Sequence, residues 1–165
     1  MSGKTHYLGG HWLQGNIEPA IRVQLDDGAK LPKRAHPTDA GADILTPRSF
    51  VLAGRGTAVI RTGVHVELPS STVGIVASKS GLYVGKPDGD IFVGGCIMTT
   101  GVVDEGYAGE IVVRLTNLGR YPHAFKRGDK IAQLLVMPVL YPGFAQVDAI
   151  SGGERGDSGF GSSGR

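Results

Sequence analysis

The sequence predicts an all-β fold, a jelly-roll-like β-barrel or sandwich of many short strands. Three observations predict it. Apolar and polar residues alternate along several short runs. Glycine is abundant, at 27 of 165 residues, against an average usage of roughly 7%. No stretch of helical length carries a 3.6-residue apolar period. Short strands joined by frequent tight turns account for all three.

Residues 1–18, MSGKTHYLGGHWLQGNIE, carry glycine and histidine without periodicity and read as a flexible N-terminal extension outside the core. His6 and His11 make a poor metal site in such a segment. The alternation then begins. In AIRVQL, Ile21, Val23 and Leu25 oppose Arg22 and Gln24; in GVHVELP, Val64, Val66 and Leu68 oppose His65 and Glu67. Successive side chains of a strand point to opposite faces, so each run is a strand with one wet face, and His65 is expected at the surface. FVLAGRGTAVIRTG reads as two short strands around a glycine turn, and STVGIVAS and GEIVVRLTN as further strands rich in β-branched residues. KIAQLLVMPVLY is continuously apolar from Leu134 to Val139 and is expected to be buried on both faces. There is no internal repeat and no second domain. Residues 19–150 form one β-domain, and 151–165 form a C-terminal arm.

Composition bounds the partners. Hydrophobic residues at 41% and charged residues at 19% are ordinary for a globular chain. A formal net charge of +2 is too small for a nucleic-acid coat or a membrane surface. The lone Cys96 excludes an internal disulfide and a Cys-based zinc site, and reads as a small buried hydrophobe. The chain shows no secretory leader pattern and no long apolar run, so an intracellular, cytoplasmic setting is expected, the host cytoplasm if the source is viral.

Several polar stretches are not needed by a β fold. In PTDAGADILTP, Asp43 is a turn residue or a carboxylate available to the water shell of a magnesium ion. In ASKSGLYVG, small residues open a short helical turn whose N–H groups, with Lys79 and Ser80, suit a phosphate, although the Walker spacing is absent. In GVVDEGYAGE, Asp104 ends a strand as turn chemistry or as a general base for water, with Tyr107 three residues on. In RGDKIAQLLV, Gln133 interrupts an apolar run, and a buried amide needs partners. The closing RGDSGFGSSGR adds a cation and a ring that a plain linker does not require. No nucleophile elbow and no metal-ligand spacing occurs, so hydrolysis, if any, uses activated water on positioned phosphates.

Taken in order, DAGADI, SKSGL, GVVDEGYAGE, GDKIAQLLV and RGDSGFGSSG resemble the five signature motifs of the trimeric dUTP pyrophosphatases, over about residues 20–165. The resemblance implies a jelly-roll subunit in a homotrimer with active sites shared between chains. It implies hydrolysis of dUTP to dUMP and pyrophosphate with Mg2+ as cofactor. By the same resemblance, Asp104 would orient the attacking water, and Tyr107 would stack on the deoxyribose and leave no room for a 2′-hydroxyl. Lys79, Ser80 and Gly81 would meet phosphates, while Asp43 and Gln133 would hold waters of a magnesium ion ligated by the phosphates. Uracil would be read by the backbone from Met98 through Gly101 to Val103. Phe160 would cover the base and Arg155 grip the terminal phosphate, with Gly161, Ser162 and Ser163 adding hydrogen bonds.

Three departures from the family pattern stand out: Lys79 in place of arginine, Ser158 in place of glycine, and a longer YVGKPDGDIFVGGCIMTT stretch, in which KPDGD reads as an extra exposed turn. Two other functions fit the same fold. A related dCTP deaminase needs a glutamate at the base, and neither Glu105 nor Glu110 sits where the resemblance would place it. A nucleotide-dependent regulator of a partner protein would use the 83–100 insert or the extension.

Overall fold

The computed structural model describes residues 5–8, 11–14, 21–83, 86–88, 91–93 and 95–153. Arg155, Ser158, Phe160, Gly161, Ser162 and Ser163 lie outside the described residues. The strands, in chain order, are β1 (Thr5–Leu8), β2 (His11–Gln14), β3 (Arg22–Leu25), β4 (Gly41–Leu45), β5 (Phe50–Leu52), β6 (Thr57–Glu67) and β7 (Thr72–Ala77). After the single turn of helix α1 (Ser80–Tyr83) come β8 (Lys86–Asp88), β9 (Ile91–Val93), β10 (Cys96–Met98), β11 (Gly101–Val103), β12 (Glu110–Asn117), β13 (His123–Phe125) and β14 (Lys130–Pro138). Among the described residues no helix is long and apolar enough to cross a membrane.

Two four-stranded antiparallel sheets, ordered β10-β12-β6-β3 and β11-β7-β14-β4, make the body. Their inward residues form one apolar core: Ile60, Val64, Val113, Leu115 and Cys96 from the first sheet meet Ile44, Val76, Val103, Ile131 and Leu134 from the second. The predicted sandwich is therefore present, and neither sheet closes into a barrel. Cys96 is fully buried, as a small hydrophobe should be. In the extension, β1 and β2 pair with each other in a hairpin of their own, which the lack of apolar periodicity did not suggest. Lys86–Asp88 of KPDGD form β8, which pairs antiparallel with β9 on the stretch expected to form an extra turn.

Two expectations need correction. TAVIRTG and VHVE are not separate strands but one eleven-residue strand, β6. The two runs meet at a bulge: Arg61 opposes Val112 and His65 opposes Glu110, so β6 carries extra residues there. The bulge places Gly63 at φ 67°, and its backbone is stitched by Glu110, which accepts from Gly63 N–H at 2.7 Å and Arg61 Nε at 2.6 Å. The buried Thr62 hydroxyl donates to Ile111 O at 2.6 Å. The second correction concerns Leu134–Val139. Leu134 is buried, but Leu135 and Val136 are half-buried and Met137 is exposed. The last β14 pair with β4 is Leu135 with Gly41, whereas pairing with β7 runs on to Pro138, so among the described residues the end of β14 has one edge without a partner strand.

Gly63 makes a direct test of the bulge. A Cβ there would lie 2.9 Å from Ala29 Cβ and 3.1 Å from Asp26 Cβ, in a left-handed conformation that alone costs a non-glycine residue about 1–2 kcal/mol. Gly63→Ala is expected to lower unfolding free energy by about 2 kcal/mol or more, measured by urea denaturation.

Candidate active site

The polar stretches gather into two clusters on the β11-β7-β14-β4 sheet. The first surrounds Asp43. This residue lies within β4 and not in a turn, and only 5% of its surface is exposed. A buried carboxylate needs partners, and it has two: Lys79 Nζ at 2.6 Å on one oxygen and Lys130 Nζ at 2.6 Å on the other. Burial pushes the Asp43 carboxyl up, but hydrogen bonds and charge from Lys130 and Lys79 outweigh it and hold the group below its ordinary range. Lys79 comes from the loop after β7, and Lys130 from the first residue of β14.

Gln133 stands beside Asp43 in the register and opposite Ala77 of β7. Its amide donates to Ser78 O at 2.9 Å. The Gln133 side chain fills the space where a Cβ on Gly41 would sit, which explains the glycine two positions before Asp43. Ser78 then joins the two sheets: its hydroxyl accepts from Met98 N–H at 2.7 Å and lies 3.1 Å from Met98 O, which accepts from it. Ser80 and Gly81 are exposed beside this cluster on α1.

The second cluster is at the other end of β7. Asp104 follows β11 and is exposed at the rim of a cleft of about 530 Å³ lined also by Thr72, Val73, Glu105, Val139 and Tyr141. Tyr107 N–H donates to Asp104 O at 3.1 Å, closing the turn. The Tyr107 hydroxyl donates to Glu110 O at 3.1 Å, and its ring lies over the backbone of Gly109 with one side exposed. His65, expected at the surface, is partly covered: its Nδ1 hydrogen-bonds Ala108 O at 3.0 Å and steadies the same loop.

These clusters do not meet within one chain. Val103 pairs with Gly74 and Gln133 with Ala77, on opposite edges of β7. Strand spacing and rise put Asp104 and Gln133 roughly 15 Å apart along the sheet. Of the stretch expected to read a base, β10 and β11 are each the edge strand of their sheet, and edge strands present unpaired N–H and C=O groups. Gly101 and Val103 sit on β11. Met98, however, has its amide and carbonyl engaged by Ser78, and Thr99 N–H donates to Arg114 O at 3.0 Å, so the inner part of that stretch is already committed.

Sequence reasoning missed Lys130, and it missed the bracing roles of Ser78 and Glu105. Lys130 carries the signal of a cation within the fourth motif; the register shift between Lys130 and Ala132 is what turns it toward Asp43. Glu105 accepts from Ser70, Ser71 and Tyr141, and Glu110 is held by the bulge, so neither carboxylate is free to activate water on a base. Among the described residues no group of three His, Cys, Asp or Glu side chains could hold a metal. Two ammonium groups on one carboxylate leave the Asp43 cluster net positive, suited to phosphate oxygens.

A family model described as dUTPase matches residues 27–164. The deoxyuridine 5′-triphosphate nucleotidohydrolase of Nocardia farcinica is 43% identical over 149 residues, covering 90% of this chain and 87% of the relative. That of Thermobifida fusca is 40% identical over 151 residues, covering 91% and 80%. Among solved structures, the dUTPase of Staphylococcus bacteriophage 80alpha with dUPNHPP superposes with a TM-score of 0.76 at 28% identity, covering 89% of this chain and 99% of that one.

Asp43 allows a pH test. Its folded-state pKa is depressed, so its contribution is present above the unfolded value of about 3.9 and is lost as pH falls through the lower folded value. Asp43→Asn is expected to cost about 2 kcal/mol near neutral pH, less than a fully buried pair because Lys130 is half exposed. The gap between parent and variant, read from denaturation midpoints, should close below about pH 4.

Proposed function

The chain belongs to the dUTPase family, and from that premise we propose that it hydrolyses dUTP to dUMP and pyrophosphate. The observation that carries the proposal is Asp104: an exposed carboxylate at the rim of an open cleft, on a turn braced from three sides, with Tyr107 beside it. In this reading Asp104 orients a water and takes its proton while the oxygen attacks the α-phosphorus. The bond from that phosphorus to the bridging oxygen of the β-phosphate breaks, and pyrophosphate leaves. Catalysis is then by positioning and charge, with no covalent enzyme intermediate.

The net-positive cluster of Lys79, Lys130 and Asp43 offsets the negative charge of the triphosphate, with Ser80 and Gly81 exposed beside it to approach the phosphates. Mg2+, bound by the phosphates, would neutralise further charge on them, with Asp43 and Gln133 meeting its waters. Tyr107, its hydroxyl tied to Glu110 O, offers the free side of its ring to the sugar and leaves no space for a 2′-hydroxyl. The open backbone edge of β11, from Gly101 to Val103, is the part of the base-reading stretch still available; Met98 acts through Ser78 instead.

Because Asp104 and the Asp43 cluster stand roughly 15 Å apart, the working site needs a second copy, as a homotrimer with shared sites supplies. Residues 139–153, which run without regular structure and expose Leu140, Phe144, Val147 and Ile150, support the same assembly, since such a run of apolar groups needs cover. Residues 151–165 then serve as an arm that closes over the bound nucleotide, Phe160 on uracil and Arg155 on the terminal phosphate, with Gly161, Ser162 and Ser163 adding hydrogen bonds. Residues 19–150 are the β-domain that carries everything else.

Product analysis with dUTP, dTTP, dCTP and UTP, each with and without magnesium, tests the proposal. Pyrophosphate is expected from dUTP and not from the others. Equal cleavage of UTP would remove the role given to Tyr107, and ammonia from dCTP would replace the reaction altogether. Asp104→Ala is expected to lower kcat by about 10²–10⁴-fold, the range for a positioned general base.

A further inference from the structure

Glu105 is used by no step above, yet it is the most heavily bonded exposed carboxylate described. One oxygen accepts from Ser70 Oγ at 2.6 Å. The other accepts from Ser71 N–H at 2.8 Å and from the Tyr141 hydroxyl at 2.8 Å. Ser71 adopts φ 59°, a conformation unfavourable for a side-chain-bearing residue. Both of its backbone groups are used in return: the N–H on Glu105, and the C=O accepting from Val139 N–H at 2.9 Å. Three chain segments thus converge on one carboxylate at the rim of the Asp104 cleft: the turn before β7, the turn after β11, and the first residues beyond β14. Without Glu105 the Asp104 turn would keep its internal bond, the Tyr107 contacts and the His65 bond to Ala108 O further along the loop.

We propose that Glu105 is a positioning residue that locks the Asp104 turn and, through Tyr141, couples it to the start of the segment leading into the C-terminal arm. Its effect on turnover rests on the hydrolase reading; its effect on the turn does not. Hydrogen bonds to a charged acceptor are the stronger kind, and three of them hold the residue next to Asp104 in one place. A base displaced by a fraction of an ångström loses rate more than affinity. Tyr141 adds a link to the arm: a shift in the segment after Val139 reaches Asp104 through a single side chain.

The experiment compares the parent full-length protein with Glu105→Ala, Glu105→Gln and Tyr141→Phe, first matched for folding by thermal unfolding. Two readouts are taken: steady-state kinetics on dUTP with Mg2+, and amide hydrogen exchange across residues 104–109. Glu105→Ala should lower kcat by about tenfold with KM changed far less, and should speed exchange of the turn amides by a similar factor while β12 stays protected. Glu105→Gln can still accept from Ser71 and Tyr141 and donate to Ser70, so it should recover most of both losses. Tyr141→Phe should move both readouts in the same direction by less. Turn exchange and kcat within twofold of the parent in Glu105→Ala would overturn the proposal, and so would a glutamine variant no better than alanine. If the parent releases no pyrophosphate from dUTP, the hydrolase reading falls, and the exchange data alone decide whether Glu105 is the brace.

Discussion

Strand β7 is hydrogen-bonded along both edges, to β11 on one side and β14 on the other. That backbone pairing holds the Asp104 cluster away from the Asp43 cluster, because no rotamer change moves a strand across its neighbour. Everything proposed about function is conditioned by this separation. The carboxylate that would activate water and the cations that would hold phosphates sit on one face of one sheet, yet they belong to different ends of it. The proposed second copy would also give cover to the edges of β10 and β11 and to the exposed apolar run after β14.

The Asp43 cluster is the electrostatic centre of its half. A carboxylate this buried is tolerated because two ammonium groups reach it, and the pair of lysines is tolerated near each other because the carboxylate lies between them. The arrangement draws on three elements: β4 for the acid, the loop after β7 for Lys79, and β14 for Lys130 and Gln133. Gly41 gives Gln133 its room, and Ser78 binds the cluster to β10 of the opposite sheet. Lysine at position 79 in place of the family's usual arginine leaves a point charge where a planar fork would contact two oxygens at once, and here that charge is spent first on Asp43.

Much of the fold was legible in the sequence, since alternation in AIRVQL, STVGIVAS and GEIVVRLTN reports directly which face is wet. The misread elements share a cause. TAVIRTG and VHVE were read as separate runs because the bulge at Gly63 interrupts the alternation, and only the partner strand, with Glu110 and Thr62 supplying hydrogen bonds, joins them. The apolar run Leu134–Val139 looked buried, but burial depends on whether β4 continues alongside, which a single segment does not report. The β1–β2 hairpin has no apolar alternation to announce it. In the site, Asp43, Lys79 and Gln133 were marked individually by their motifs, and the structure brings them together. Lys130, and Glu105 as a brace rather than a catalytic acid, were not marked, because their roles arise from register and from a loop distant in sequence.

The proposal that two chains complete each site is tested most directly by mixing two variants, each disabled in one half. Asp104→Ala removes the base, and Gln133→Ala disables the Asp43 side, so each alone should be nearly inactive. Unfolded and refolded together in equal amounts, the two chains assemble at random. If the halves come from different subunits, some sites pair an intact Asp104 with an intact Gln133, and turnover of dUTP returns to about a quarter of the parent value. If the mixture stays as inactive as its components, while parent protein carried through the same refolding recovers its activity, each chain holds a complete site and the proposal is wrong.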